Sequence, residues 1–112
     1  MWPFKREEIR IIPHENFPIH AELPGKQFKE KLLVKDISTG GIGVFIPNEF
    51  RGCEIGNEID IRIYIPNESP FKVRSVIRHT ALDDTYFGAQ FLDLDIDQRK
   101  KIELYILSRF KK

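Results

Sequence analysis

With 112 residues, 41% of them hydrophobic, and 18 basic side chains against 17 acidic ones for a formal net charge of +1, the chain has the composition of one ordinary globular domain, long enough to bury roughly two-thirds of its unfolded surface without disulfides or a structural metal. The single Cys53 excludes a disulfide framework, and the scattered His14, His20 and His79, unpaired at helical spacing, speak against a metal site, so neither metal nor cofactor is expected. The near-neutral balance offers no field for long nucleic acid or an anionic bilayer, and with no apolar run near the ~18 residues of a membrane span and no apolar signal region behind Met1 to Arg6, a cytoplasmic protein without a transmembrane segment is expected.

In chain order, residues 1–12 read as an N-terminal arm, residues 13–94 as a β-barrel and residues 95–112 as a C-terminal helix, one domain in total. The middle of the chain repeats in twos, the period of a strand with one buried face. Phe17, Ile19, Ala21 and Leu23 alternate with Pro18, His20 and Glu22, and Ile59, Ile61, Ile63 and Ile65 alternate with Glu58, Asp60, Arg62 and Tyr64. Further strands are expected at Gln27 to Ile37, Gly43 to Pro47, Phe71 to Thr80 and Tyr86 to Leu92, separated by turn material at Pro24-Gly25-Lys26, Ser38 to Gly41, Asn48 to Gly56, Pro66 to Pro70 and Asp83-Asp84. About six short strands at this spacing predict a closed or nearly closed antiparallel β-barrel, all-β apart from the final helix, because closure removes the sheet edges.

The last segment changes period. Asp95 and Gln98 stand three apart as a capping box, and Asp97 suits the positive end of a helix. Ile102, Tyr105, Ile106, Arg109 and Phe110 then follow helical spacing, with Leu104 and Leu107 expected to widen the stripe and Lys111 and Lys112 at the negative end. Such a stripe is expected to pack on the barrel or to plug its mouth.

Two short constellations exceed ordinary barrel sequence. Arg6-Glu7-Glu8-Ile9-Arg10 places two arginines four apart, a spacing that points both guanidiniums the same way in a helix or an extended arm. A guanidinium can fork onto phosphate oxygens or onto guanine O6 and N7. Taken alone, the pair also fits a solvated arm neutralised by Glu7 and Glu8. Asp36-Ile37-Ser38-Thr39-Gly40-Gly41-Ile42-Gly43 lies between two strands, and its glycines are expected to let the backbone turn sharply and approach a ligand. The Asp36 carboxylate can accept the paired N–H donors of a guanine edge, with the Ser38 hydroxyl adding a contact. The other reading is a hairpin turn in which Asp36 and Ser38 bond nearby backbone.

Arg-x-x-x-Arg in an N-terminal arm followed by Asp-x-Ser-x-x-Gly resembles the PilZ domain family, which binds the bacterial second messenger cyclic di-GMP. The matching residues are Arg6, Arg10, Asp36, Ser38 and Gly41, and the likeness continues through Val76-Ile77-Arg78 and Tyr86-Phe87-Gly88-Ala89-Gln90-Phe91 into the helix. The resemblance implies a six-stranded barrel that takes cyclic di-GMP on its outer surface. Arg6 and Arg10 would hold guanine and phosphate, Asp36, Ser38 and Gly41 would hold a guanine from the barrel side, and Lys5, Gly40, Arg78 and Gly88 are secondary candidates. Lys5 stands where the family often carries the first of two adjacent arginines, and the acidic Glu7 and Glu8 follow.

The function expected is that of a non-enzymatic receptor. Cyclic di-GMP would order a mobile arm over residues 2 to 12, move Trp2 and Phe4, and change the surface offered to an unidentified effector protein, the receptor being a monomer or weak homodimer. The alternative is a barrel of the same family that serves as an adaptor without binding nucleotide. An oligonucleotide-binding barrel fits less well, since it needs exposed aromatics along a basic groove. Neither a Gly-x-Ser-x-Gly elbow nor a Gly-x-x-x-x-Gly-Lys phosphate loop occurs, and no base stands in fixed relation to Ser38, so no catalysis is expected. Asp93, Asp95 and Asp97 read as helix capping rather than calcium ligands. Arg78 is expected in solvent or beside Asp83 or Asp84, and Cys53 is expected to be inert.

Overall fold

The computed structural model describes residues 9–24, 31–46, 54–81, 83 and 85–110. Its strands are β1 (His20–Glu22), β2 (Leu32–Ile37), β3 (Gly41–Phe45), β4 (Glu58–Tyr64), β5 (Phe71–Thr80) and β6 (Tyr86–Phe91), followed by α1 (Ile96–Phe110). All neighbours run antiparallel and close into a barrel in the order β1-β2-β3-β6-β5-β4. The closing seam is the short β1, which pairs His20 with Tyr64 and Ala21 with Ile63.

Alternation built this barrel where it was strongest. Ile59, Ile61, Ile63 and Ile65 are all buried, as are Ile19, Ala21 and Leu23, while the residues between them are not. Burying one such side chain stabilises the fold by about 1.5–3 kcal/mol, which is why the isoleucine face is fixed inward. Phe17, expected on the same face, is 57% exposed. It precedes β1 in a turn where its amide donates to the His14 carbonyl, so strand parity no longer governs it.

Two interruptions of parity matter more. The β2–β3 register shifts between Val34 and Asp36, and the β5–β6 register shifts between Ile77 and His79. Each bulge puts two consecutive polar residues outside the core: Lys35 with Asp36, and Arg78 with His79. Bulges re-aim side chains in this way.

Helix α1 begins with the reciprocal cap: Asp95 Oδ1 accepts from the Gln98 amide at 2.8 Å, and Gln98 Oε1 accepts from the Asp95 amide at 3.1 Å. Ile102, Tyr105 and Ile106 seal one end of the core, with Tyr105 Oη donating to the Phe17 carbonyl at 2.6 Å. Leu104 and Leu107 do not widen this seam. They are 52% and 57% exposed, because at roughly 100° per residue both turn away from the line through Ile102 and Ile106. No helix among the described residues is long and apolar enough to cross a membrane.

The end of the arm is already attached to the barrel. Ile11 donates its amide to the Ile37 carbonyl at 3.0 Å and accepts from the Ile37 amide at 2.9 Å, so fast amide exchange is not expected at Ile11. Arg109 Nε donates to the Ile12 carbonyl from α1. Trp2, Phe4, Glu7, Glu8, Cys53, Asp84, Lys111 and Lys112, like the Pro24-Gly25-Lys26 turn beyond Pro24 and the expected strand start at Gln27, lie outside the described residues.

Candidate functional site

The two bulges and the Ser38 turn meet on the outside of β2, β3, β5 and β6. The turn is held from within: Ser38 Oγ accepts from the amides of Gly40 and Gly41 at 3.0 and 3.2 Å, and the Ser38 amide donates to the Gly41 carbonyl at 2.9 Å. Ser38 is buried, so here its hydroxyl shapes the turn, as the hairpin reading expected. The glycines act differently from that expectation. Gly41 and Gly43 lie within β3, and among the described residues only Gly56 and Asn67 have positive φ. What Gly41, Gly43 and Gly88 supply is room.

Each seats one side chain. A Cβ on Gly41 would lie 3.3 Å from Arg10 Nη2 and 2.5 Å from the Ala89 carbonyl oxygen. One on Gly43 would lie 2.8 Å from Asp36 Oδ1, and one on Gly88 would lie 2.3 Å from His79 Cε1. Gly43 and Gly88 are direct cross-strand partners. The three glycines therefore pave a floor on which a guanidinium, a carboxylate and an imidazole lie side by side.

Above this floor runs a groove of about 520 Å³, which Arg10, Asp36, Gly40, Gly41, Arg78 and Gly88 all line. That volume falls within the ~300–1,000 Å³ typical of small-ligand sites. Arg10 Nη1 donates to Asp36 Oδ1 at 2.5 Å, and Lys35 Nζ donates to Asp36 Oδ2 at 3.1 Å. Among the described residues lining the groove there are three arginines, Arg10, Arg78 and Arg99, and one carboxylate, Asp36, so the lining carries more positive than negative charge. Arg99 is held on its helix by Glu103 at 3.1 Å. Arg78 donates through Nε to Gln90 Oε1 at 2.8 Å, not to Asp83, whose Oδ1 instead accepts from Thr85.

Of the residues picked out by sequence, Arg10, Asp36, Gly40, Gly41, Arg78 and Gly88 are thus brought together, Ser38 sits beneath them, and Lys5 and Arg6 lie outside the described residues. Sequence reasoning missed His79, Tyr86 and Gln90, which line the same groove, and Gly43 as the seat of Asp36. The signal for Gly43 was present in its distance from Asp36 across one hairpin; His79 carried none, because a bulge placed it. A concavity of about 580 Å³ against α1, lined in part by Phe17, Pro66, Leu104 and Tyr105, gathers none of the candidates.

Fold and groove together define a small closed β-barrel with a polar, cation-rich groove on its outer wall. The family model described as PilZ domain matches residues 4–108, and the chain belongs to that family. Comparison with curated proteins finds no match. Among solved structures the chain is similar to the PilZ domain of Escherichia coli YcgR with c-di-GMP, at 14% identity and a TM-score of 0.72 over 94% of this chain and 91% of that one. It is also similar to the K. pneumonia MrkH–c-di-GMP complex (16% identity, TM-score 0.75, 95% of this chain and 52% of that one) and to the Bacillus subtilis inhibitor of motility MotI/DgrA (15%, 0.74, 95% and 51%). The chain spans about half the length of these last two proteins.

Proposed function

We propose that this chain is a cyclic di-GMP receptor and that the glycine-floored groove is its binding site. The observation that carries the reading is the convergence of Arg10 and Asp36 on that floor, in a chain of a family whose solved members include YcgR and MrkH with c-di-GMP. The ligand is a compact dianion with two guanine faces, so it asks for forks and an acceptor rather than a broad basic surface. Arg10 offers a two-point donor to phosphate or to guanine O6 and N7, and Asp36 offers an acceptor to the guanine N–H edge.

In the free protein these two groups satisfy each other. Binding exchanges the Arg10–Asp36 pair for ligand contacts, and the exchange is inexpensive because a partly exposed pair of this kind is worth about 0–1 kcal/mol. Arg6 and Lys5 are assigned to the ligand's outer side, Gly40 and Gly41 to its approach along the backbone, Arg78 to a phosphate, and Ser38 to holding the turn. We read the site as one that binds without reacting, since Ser38 Oγ is committed to two backbone amides and Asp36 to two cations.

The output we assign is a rearrangement of the arm preceding Ile11, which alters the surface met by an effector protein. Calorimetric titration with cyclic di-GMP tests the reading, with GMP and ATP as controls. At ~100 times its dissociation constant the ligand should add roughly 2.7 kcal/mol of stability, and amide exchange N-terminal to Ile11 should slow. One observation favours the adaptor alternative: the Arg10–Asp36 pair already fills its own needs. An absence of heat and of any melting shift at saturating cyclic di-GMP would refute the receptor reading and favour that alternative.

A further inference from the structure

The groove holds an aromatic group that neither constellation contains. His79 follows the β5 bulge, opposite Gly88 on β6. A Cβ placed on Gly88 would stand 2.3 Å from His79 Cε1, 2.7 Å from Nδ1 and 2.8 Å from Nε2. Three such similar distances require a ring lying face-on; an edge-on ring would put both nitrogens much farther away than Cε1. One face of the imidazole is therefore seated on the glycine, and the opposite face looks away from the floor. The residue is exposed and lines the groove.

The ring is also held in place. Tyr86 meets it edge to face with centroids 5.9 Å apart, Lys35 Nζ lies 4.6 Å over the Tyr86 ring, and the same ammonium donates to Asp36. A continuous wall thus runs Asp36, Lys35, Tyr86, His79. Tyr86 carries the Lys35 ammonium over its ring, whereas the imidazole, seated on Gly88, turns its other face away from the floor.

We propose that His79 is the base-stacking platform of this site, receiving the flat face of a guanine whose edge is read by Asp36, and that Gly88 serves to seat the ring rather than to touch the ligand. This assignment rests on the cyclic di-GMP reading above. A purine stacked on an aromatic ring needs no particular hydrogen bond, so the platform supplies affinity and the carboxylate supplies the choice of base.

The test is calorimetric titration of cyclic di-GMP into the full chain and into His79→Ala, His79→Phe, His79→Gln and Gly88→Ala. His79→Ala should weaken binding about 5- to 150-fold, the range expected when a base-stacking ring is removed. His79→Phe should bind within a few-fold of the parent, His79→Gln should resemble the alanine variant, and Gly88→Ala should weaken binding with His79 still present. In the parent, the proton on His79 Cε1 should move upfield on adding ligand, from the ring current of the base. Parent-like binding by His79→Ala or His79→Gln, a failure of His79→Phe to rescue, or a stationary proton signal would overturn the platform while leaving the receptor reading intact. No binding by the parent would overturn both.

Discussion

Replacing Gly43 with alanine separates ligand recognition from fold stability without removing a charge. The new Cβ would lie 2.8 Å from Asp36 Oδ1, the same oxygen that Arg10 holds, so the carboxylate must swing off the floor. That movement costs the fold little: the Arg10–Asp36 pair is worth about 0–1 kcal/mol, and exchanging a strand glycine for alanine recovers a comparable 0.5–1 kcal/mol of backbone entropy. It costs recognition much more. Loss of one two-point base contact is worth about 1–3 kcal/mol, or on the order of 5- to 150-fold in affinity for cyclic di-GMP. Gly41→Ala is the control, since there the Cβ would meet the Ala89 carbonyl oxygen at 2.5 Å and the β3–β6 pairing must give. Overpacking of that kind costs about 1–3 kcal/mol, a fall in melting temperature of roughly 4 °C or more per kcal/mol. Thermal melts and calorimetric titrations of the two variants should therefore show Gly43→Ala stable but weak-binding and Gly41→Ala clearly less stable. A Gly43→Ala protein that binds like the parent would refute the placement of guanine recognition on the Asp36 carboxylate.

Arg10→Lys should weaken binding nearly as much as Arg10→Ala, because an ammonium cannot fork; titration of both variants checks this. Asp95→Ala should lower stability by about 1 kcal/mol through loss of the helix cap and leave affinity for cyclic di-GMP unchanged, as read by melting and titration. On the outer face of β1 and β4, the Tyr64 hydroxyl donates to Glu22 at 2.5 Å, and with Arg62 alongside it holds the Glu22 carboxyl below its ordinary value. A depressed folded-state pKa contributes stability above the unfolded value and loses it as pH falls through the folded one; Tyr64→Phe should therefore melt with a shallower dependence than the parent as pH falls through and below the ordinary carboxylate range. Burial raises the Tyr105 phenol, whose contribution is present below its unfolded pKa and lost as pH climbs through the higher folded one, so Tyr105→Phe should flatten the alkaline limb of the same melting profile.

The elements whose information is local could be read without any fold. Isoleucines at every second position from Ile59 to Ile65 demand a half-buried strand wherever the strand goes, and Asp95 with Gln98 demands a helix start, because parity and capping depend on neighbours two to four residues away. The same holds for the pairing of motifs: Arg10 and Asp36 were candidates from their side-chain chemistry alone, and the barrel brings them within hydrogen-bonding distance. Exposure of Phe17, Leu104 and Leu107 was not legible, since each is apolar and only the end of a strand or the angle of a helix on its support decides which face is covered.

Only the tertiary structure decided what the site is made of. A bulge shifts the parity of every residue beyond it without altering composition, so the outward pairs Lys35 with Asp36 and Arg78 with His79 could not be counted along the chain. Barrel closure then sets which strands meet, placing Gly88 beneath His79 and beside Gly43, which seats Asp36. The sequence by itself thus determined a barrel, a capped helix and an arginine–aspartate chemistry. The register of β3, β5 and β6, fixed by contacts between residues far apart in the chain, turned glycines that looked like a turn into a floor and an overlooked histidine into part of the wall.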